Sequence, residues 1–360
     1  MDKLNNTLNS IKFLDHAVMG ETKKRWDSLV KPIGSLGLME EITIRLSGIY
    51  RTTKFDIDKR AVVVMASDNG IVEENVTSSP QIFTRILAEK MAKGMTGVSV
   101  MSKAANADVI VVDIGINGDV KEENVINRKI RHGTDNFTKS FAMTYDETIK
   151  AIETGIEVAD DLFNKGYKIL GTGEVGIGNT TTSAAVIKAI TDFNIDDIVG
   201  KGAGITDEQL VLKKKAIIKA IELHKPNKYD VIDVLSKVGG LDIAGLVGVY
   251  LSGAKNMKPI VMDGFISQAA ALCAIKLDGR VKDYIIPSHL SKEPGAKFVF
   301  NEIGLKPMLD LSMRLGEGTG CPLAFQIIDT AIYTLNNMAT FEEAEIEKEL
   351  LVDISKDEEK

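Results

Sequence analysis

Apolar residues recur along this chain with two different periods, and the change between them divides it. Through residues 1–51 they fall at helical spacing. Leu4, Leu8, Ile11 and Leu14 form one stripe, and Leu38, Ile42, Leu46 and Ile49 another. Residues 31–37 (Lys-Pro-Ile-Gly-Ser-Leu-Gly) break the two apart. Residues 61–66, 108–115 and 258–265 are then near-continuous apolar runs, as strands buried on both faces require. Shorter runs at 167–170 and 283–289 predict further strands. Helices are predicted between them, over about 80–93, 146–165, 183–190, 243–251 and 322–338, with another after the Thr206-Asp207-Glu208 cap. The acidic, lysine-rich residues 342–360 read as a frayed tail. This alternation predicts an α/β fold with a mostly parallel, Rossmann-like sheet and helices on both faces.

Composition narrows the function. The chain has 360 residues, 44% of them hydrophobic, enough for a large core. Its net charge of −7 argues against a nucleic-acid partner, because phosphate backbones demand clustered Lys and Arg. No run of about 18 apolar residues predicts a membrane span, and residues 1–10 lack a signal core. The two cysteines, Cys273 and Cys321, have neither metal nor disulfide spacing, which fits a reducing cytoplasm. The four histidines are scattered, so no metal site is expected.

The chemistry concentrates in glycine-rich segments. In such α/β sheets ligands bind beyond the carboxyl ends of the strands, where Asp68, Asp113, Glu174 and Asp263 are predicted to fall. Residues 171–182 (Gly-Thr-Gly-Glu-Val-Gly-Ile-Gly-Asn-Thr-Thr-Thr) read as a loop between a strand and a helix. Bare backbone N–H groups and a helix N-terminus there make an anion site. Gly171, Gly173 and Gly176 also match the dinucleotide fingerprint, and a plain structural turn is the third reading. Glu174 argues against the dinucleotide, since its carboxylate would repel a pyrophosphate. It suits the reacting end of a monophosphate better. A second carboxylate, Glu317, sits between Gly316 and Gly318. It reads either as a surface turn or as a general base beside Leu315. Carboxylates flank the developing positive carbon in glycosyl chemistry. A phosphate loop with two such acids therefore points to transfer at a phosphorylated sugar.

Seven words in order carry a resemblance over residues 20–345: 31–37, 133–137 (Gly-Thr-Asp-Asn-Phe), 173–181, 199–204 (Val-Gly-Lys-Gly-Ala-Gly), 261–265 (Val-Met-Asp-Gly-Phe), 289–295 (His-Leu-Ser-Lys-Glu-Pro-Gly) and 314–320 (Arg-Leu-Gly-Glu-Gly-Thr-Gly). In these the chain resembles the nicotinate-nucleotide–dimethylbenzimidazole phosphoribosyltransferases. The resemblance implies a large α/β domain over 59–321 and a small helical domain from 1–58 with 322–360. It also implies a homodimer whose 31–37 loops reach across, with a heterodimer with a paralogue as a variant. The implied substrates are nicotinate mononucleotide and an aromatic base, with no cofactor. Glu317 would be the general base and Glu174 would support charge at the ribose. Gly176, Gly178, Asn179 and Thr180 would hold the 5′-phosphate, with Gly202, Gly204, Lys213 and Ser291 as further candidates. Asp263 would face a ribose hydroxyl or cap its strand.

The chain departs from the family pattern at two places. Asn69 stands where the family has His, and Ser78 and Ser79 stand where an aromatic residue precedes Pro80. Both departures are expected around the base pocket, with Ser79, Gln81 and Leu315 as base contacts. Lost stacking and added hydroxyls favour a smaller or more polar acceptor, such as a purine or a phenol. Two other readings compete: an NAD-dependent oxidoreductase, and a noncatalytic nucleotide sensor or interaction paralogue.

Overall fold

The computed structural model describes residues 1–202 and 204–346. The part of the expected tail and of the 322–360 segment beyond residue 346 lies outside the described residues, as does Ala203 of the 199–204 word.

Six strands form one sheet: β1 (Arg60–Ser67), β2 (Asp108–Gly115), β3 (Ile126–Asn127), β4 (Ile169–Val175), β5 (Ile260–Met262) and β6 (Ile285–Pro287). Their order is β3-β2-β1-β4-β5-β6, and every pairing is parallel. The chain winds outward from β1 in one direction and from β4 in the other. The switch point between β1 and β4 is where such sheets open a crevice. All eight residues of β1 are buried, as its unbroken apolar run requires.

Helices cover both faces. On one lie α6 (Tyr145–Asn164), α11 (Leu241–Lys255) and α12 (Phe265–Leu277), and on the other α4 (Ile82–Ala92), α5 (Gly97–Ala104) and α14 (Gly320–Asn337). The helix α6 starts at a capping box, with Thr144 and Glu147 each bonding the other's backbone N–H. Thr206 and Gln209 do the same for α9 (Asp207–His224), which lies between α8 (Ile195–Ile198) and α10 (Val231–Val238), and α13 (Gly295–Ile303) precedes α14. From the amino-terminal stripes come α1 (Asp2–Ser10), α2 (His16–Ser28) and α3 (Leu38–Tyr50). The helix α1 packs on α6 and α11, while α2 packs on α3 and α3 on α14. Trp26, Leu29 and Leu335 form a core cluster of their own there.

One expectation is corrected. Residues 171–175 are the continuation of β4, paired along Val62–Ala66, and not a loop. Glycine is the usual mark of a turn, but here it serves close approach. A Cβ on Gly171 would stand 2.6 Å from Cys321 Cβ, and one on Gly173 would stand 2.3 Å from the Glu317 carbonyl oxygen. The bare strand lets the segment carrying Glu317 lie directly on the sheet. Of the three fingerprint glycines only Gly176 is past the strand, so the dinucleotide reading loses its loop.

Candidate active site

A cavity of about 290 Å³ opens at the switch point. Its walls come from five places: the end of β4 and the start of α7 (Asn179–Ile190), residues 76–79 with α4, Lys201 with Gly202 and Ile205, residues 264–266 at the start of α12, and residues 289–293 with 314–317. Glu174 and Glu317 both face into it.

Gly178 turns the chain into α7 with φ +94°, a left-handed conformation that suits glycine. The positive end of a 12-residue helix therefore points at the cavity. Thr180 follows, and its Oγ1 accepts from Lys213 Nζ at 2.9 Å. Lys213 also donates to the Gly200 carbonyl at 3.0 Å. Burial lowers its ammonium to about 8, opposed by the Glu293 carboxylate. Gly202, with φ +56°, passes against Thr180, and Ser291 and Lys201 complete this end of the wall.

The acids lie at the sheet end of the cavity. Glu174 is buried, which pushes its carboxyl up to about 8, with Asp242 adding to the rise. It accepts from Asn179 Nδ2 and, at 3.2 Å, from the Glu317 backbone N–H. Asn179 Nδ2 also donates to Asp242 Oδ2 at 3.3 Å. Burial raises Asp242 to about 7. Asp263 caps the Glu317 segment, accepting from the N–H groups of Gly318 at 3.0 Å and Gly320 at 2.7 Å. That turn holds Glu317 itself at φ +63° and aims its side chain back across the cavity. Glu317 Oε2 accepts from the Val98 N–H at the start of α5, at 3.2 Å. Burial raises the Glu317 carboxyl, and the charge of Asp263 adds to the effect.

Most of the residues singled out from the sequence meet here: Glu174, Glu317, Gly176, Gly178, Asn179, Thr180, Gly202, Ser291, Ser79 and Leu315 all line the cavity. Four do not. Lys213 is 1% exposed and reaches the cavity only through Thr180. Gly204 lies beyond the wall, with nothing within 4 Å of where its Cβ would stand. Gln81 opens α4 from outside, its Oε1 accepting from Asn117 Nδ2 at 3.2 Å. Asn69 is a correction to the base-pocket expectation. It is buried under the 176–178 turn, donating to the Ile177 carbonyl and accepting from Thr182 Oγ1, because Gly176 leaves room only for that amide.

Asp242, Glu293, His289 and the apolar wall of Val76, Phe83, Leu87 and Ile205 were not singled out. Asp242 sits in a helical stretch with no motif around it. Glu293 and His289 lie inside a recognised word but carry no spacing of their own. Among the described residues no group of three or more His, Cys, Asp or Glu is placed to hold a metal, and no helix is long and apolar enough to cross a membrane.

A phosphoribosyltransferase family model matches residues 11–346. The chain belongs to this family. Phosphoribosyl transfer suits the two ends of the cavity, an anion cradle facing a pair of acids. The nicotinate-nucleotide–dimethylbenzimidazole phosphoribosyltransferase of Clostridium tetani is 54% identical over 98% of both chains. The enzyme of the same name from Clostridium acetobutylicum is 50% identical over 96% of this chain and 98% of its own. The crystal structure of the phosphoribosyltransferase of that name from Thermus thermophilus superposes with a TM-score of 0.88. It is 35% identical, covering 93% of this chain and 100% of its own.

Proposed function

We propose that the chain moves the 5-phosphoribosyl group from nicotinate mononucleotide to 5,6-dimethylbenzimidazole or a related base, giving an α-ribazole 5′-phosphate for cobamide assembly. The observation that carries this reading is the single cavity holding an anion cradle at one end and two acids with raised affinity for protons at the other. The names of the relatives agree with it.

In this reading the 5′-phosphate rests on Gly178, Asn179 and Thr180, with Lys213 behind Thr180 and with Gly202 and Ser291 beside it. The sugar C1′ lies toward Glu174. The bond from C1′ to the pyridinium nitrogen breaks, and its electron pair stays on nitrogen, so nicotinate leaves without needing a proton. A ring nitrogen of the incoming base attacks the opposite face of C1′, which inverts the centre from β to α. The other ring nitrogen gives up its proton to Glu317. Burial makes that carboxyl a stronger base than an exposed one. Glu174, once ionised, opposes the positive charge developing on the sugar.

The base would lie against Val76, Phe83, Leu87 and Leu315, with Thr77, Ser78 and Ser79 along one edge. Those three hydroxyl-bearing residues favour an acceptor pocket that is less selective than a purely aromatic one. With nicotinate mononucleotide and equal amounts of dimethylbenzimidazole, adenine and p-cresol, products identified by mass are expected to form within about tenfold of one another, a difference of about 1.4 kcal/mol. A preference for dimethylbenzimidazole far beyond that would overturn the open pocket.

Leu315 is 60% exposed at the mouth of the cavity, and residues 31–37 do not line it. In the proposed assembly a second copy of the chain covers that mouth with its 31–37 loop. The Lys31–Glu40 ion pair, 2.7 Å and buried, and the Leu36 N–H to Glu40 bond give this loop a fixed shape for that role. The Trp26, Leu29 and Leu335 cluster supports 1–58 with 322–360 as the helical unit that presents it. The reaction needs only small molecules of the cytoplasm.

A further inference from the structure

The geometry points to Asp242 as a positioning residue for the transfer, acting through the Asn179 amide on Glu174. This inference rests on the reading of the site given above.

Asp242 is fully buried in the first turn of α11 and does not line the cavity. Its Oδ1 accepts from the Ile243 N–H at 2.9 Å, which fixes the carboxylate plane. Its Oδ2 takes one hydrogen of Asn179 Nδ2, and Glu174 Oε2 takes the other. One amide nitrogen is thus shared by two carboxylates from two different elements, the end of β4 and the start of α11.

Two acceptors do what one cannot. A side-chain amide held at a single point can still swing about that bond, while held at two points it has one orientation. Asn179 Oδ1 has no partner among the described residues, so the second hold is not supplied from that side. The surroundings leave no slack. A Cβ on Gly176 would stand 2.9 Å from Asp242 Oδ2, and one on Gly240 would stand 2.4 Å from its Oδ1. Asp242 therefore locks Asn179, and Asn179 locks the Glu174 carboxylate at the place where the sugar carbon reacts. A misplacement of about 1 Å at such a centre costs on the order of 10²-fold in rate.

Placement of Glu174 matters when charge develops on the sugar, so the loss belongs in kcat and not in KM. Asp242→Ala is expected to lower kcat for nicotinate release by about tenfold or more, with KM for nicotinate mononucleotide within about threefold of wild type. In an Asn179→Ala background the same substitution is expected to cost less than about twofold, because the relay is already gone. Asp242→Asn keeps the shape and offers one acceptor oxygen, so it is expected to retain more activity than Asp242→Ala. It also completes the cycle if the alanine variant does not fold.

A purely structural role would loosen the Gly176 turn, raise KM and add its full cost in the Asn179→Ala background. Either of those results, or an unchanged kcat, overturns the inference. Wild-type protein in the same assay separates the two levels. If it releases no nicotinate with any base, the reading of the reaction fails. If it does and the Asp242 variants match it, only the role of Asp242 fails.

Discussion

Glu317→Ala is expected to lower kcat by about 10²–10⁴-fold while leaving nicotinate mononucleotide bound about as tightly as before. The side chain reaches the cavity from a left-handed turn held by two N–H bonds to Asp263. Truncating it leaves that turn and the anion cradle in place. Burial raises the carboxyl, so at neutral pH it accepts a proton more readily than an exposed glutamate. The incoming base must lose its proton, which Glu317 is placed to take, whereas the departing nicotinate asks for none. Calorimetric binding of the nucleotide alongside steady-state kinetics checks both halves. Loss of binding in step with loss of turnover would make Glu317 a binding group instead.

The second large effect belongs to Glu174, and it couples activity to stability. Glu174→Gln is expected to lower kcat by about 10²–10³-fold above about pH 8, where the wild-type carboxyl is ionised, because a neutral amide opposes developing charge poorly. The folded chain holds the Glu174 proton to about pH 8, against an ordinary value of 4.5. The folded state thus binds more protons than the unfolded one between those values, and stability falls as pH rises through them. The contribution is full below about 4.5 and is lost by about 8. Asp242, raised to about 7 and bonded to the same amide, shifts in the same sense. The Gln variant has no such titration. Its Tm relative to wild type is expected to climb between pH 6 and pH 9, by about 2 °C or more. What the substitution costs in packing and hydrogen bonding is common to both pH values and cancels in that comparison. A flat difference would show that the Glu174 carboxyl titrates normally.

The parts of this fold that were legible in the sequence are those whose environment acts on every residue of an element. The strand β1 is buried along its length and β2 from Val111 on, both read as apolar runs, and α9 announces itself by the cap at Thr206. The strand β4 misled because its glycines answer to a distant partner: Gly171 makes room for Cys321 and Gly173 for Glu317, both far along the chain. Periodicity carries no record of such an approach. The same limit applies within the site. Glu174 and Glu317 stand between glycines and attract notice, whereas Asp242 lies in a helix of unremarkable composition and gains its place only when α11 closes over β4. Asn69 shows the converse. The family pattern puts position 69 beside the base, but the turn above it folds back and buries it.

The claim that both ends of the cavity act on one molecule is open to direct observation in a structure of the protein with nicotinate mononucleotide bound. The account predicts the 5′-phosphate against the backbone of residues 178–180 and C1′ between the carboxylates of Glu174 and Glu317. A nucleotide whose phosphate lies away from that helix end, or whose C1′ is out of reach of both acids, would contradict it.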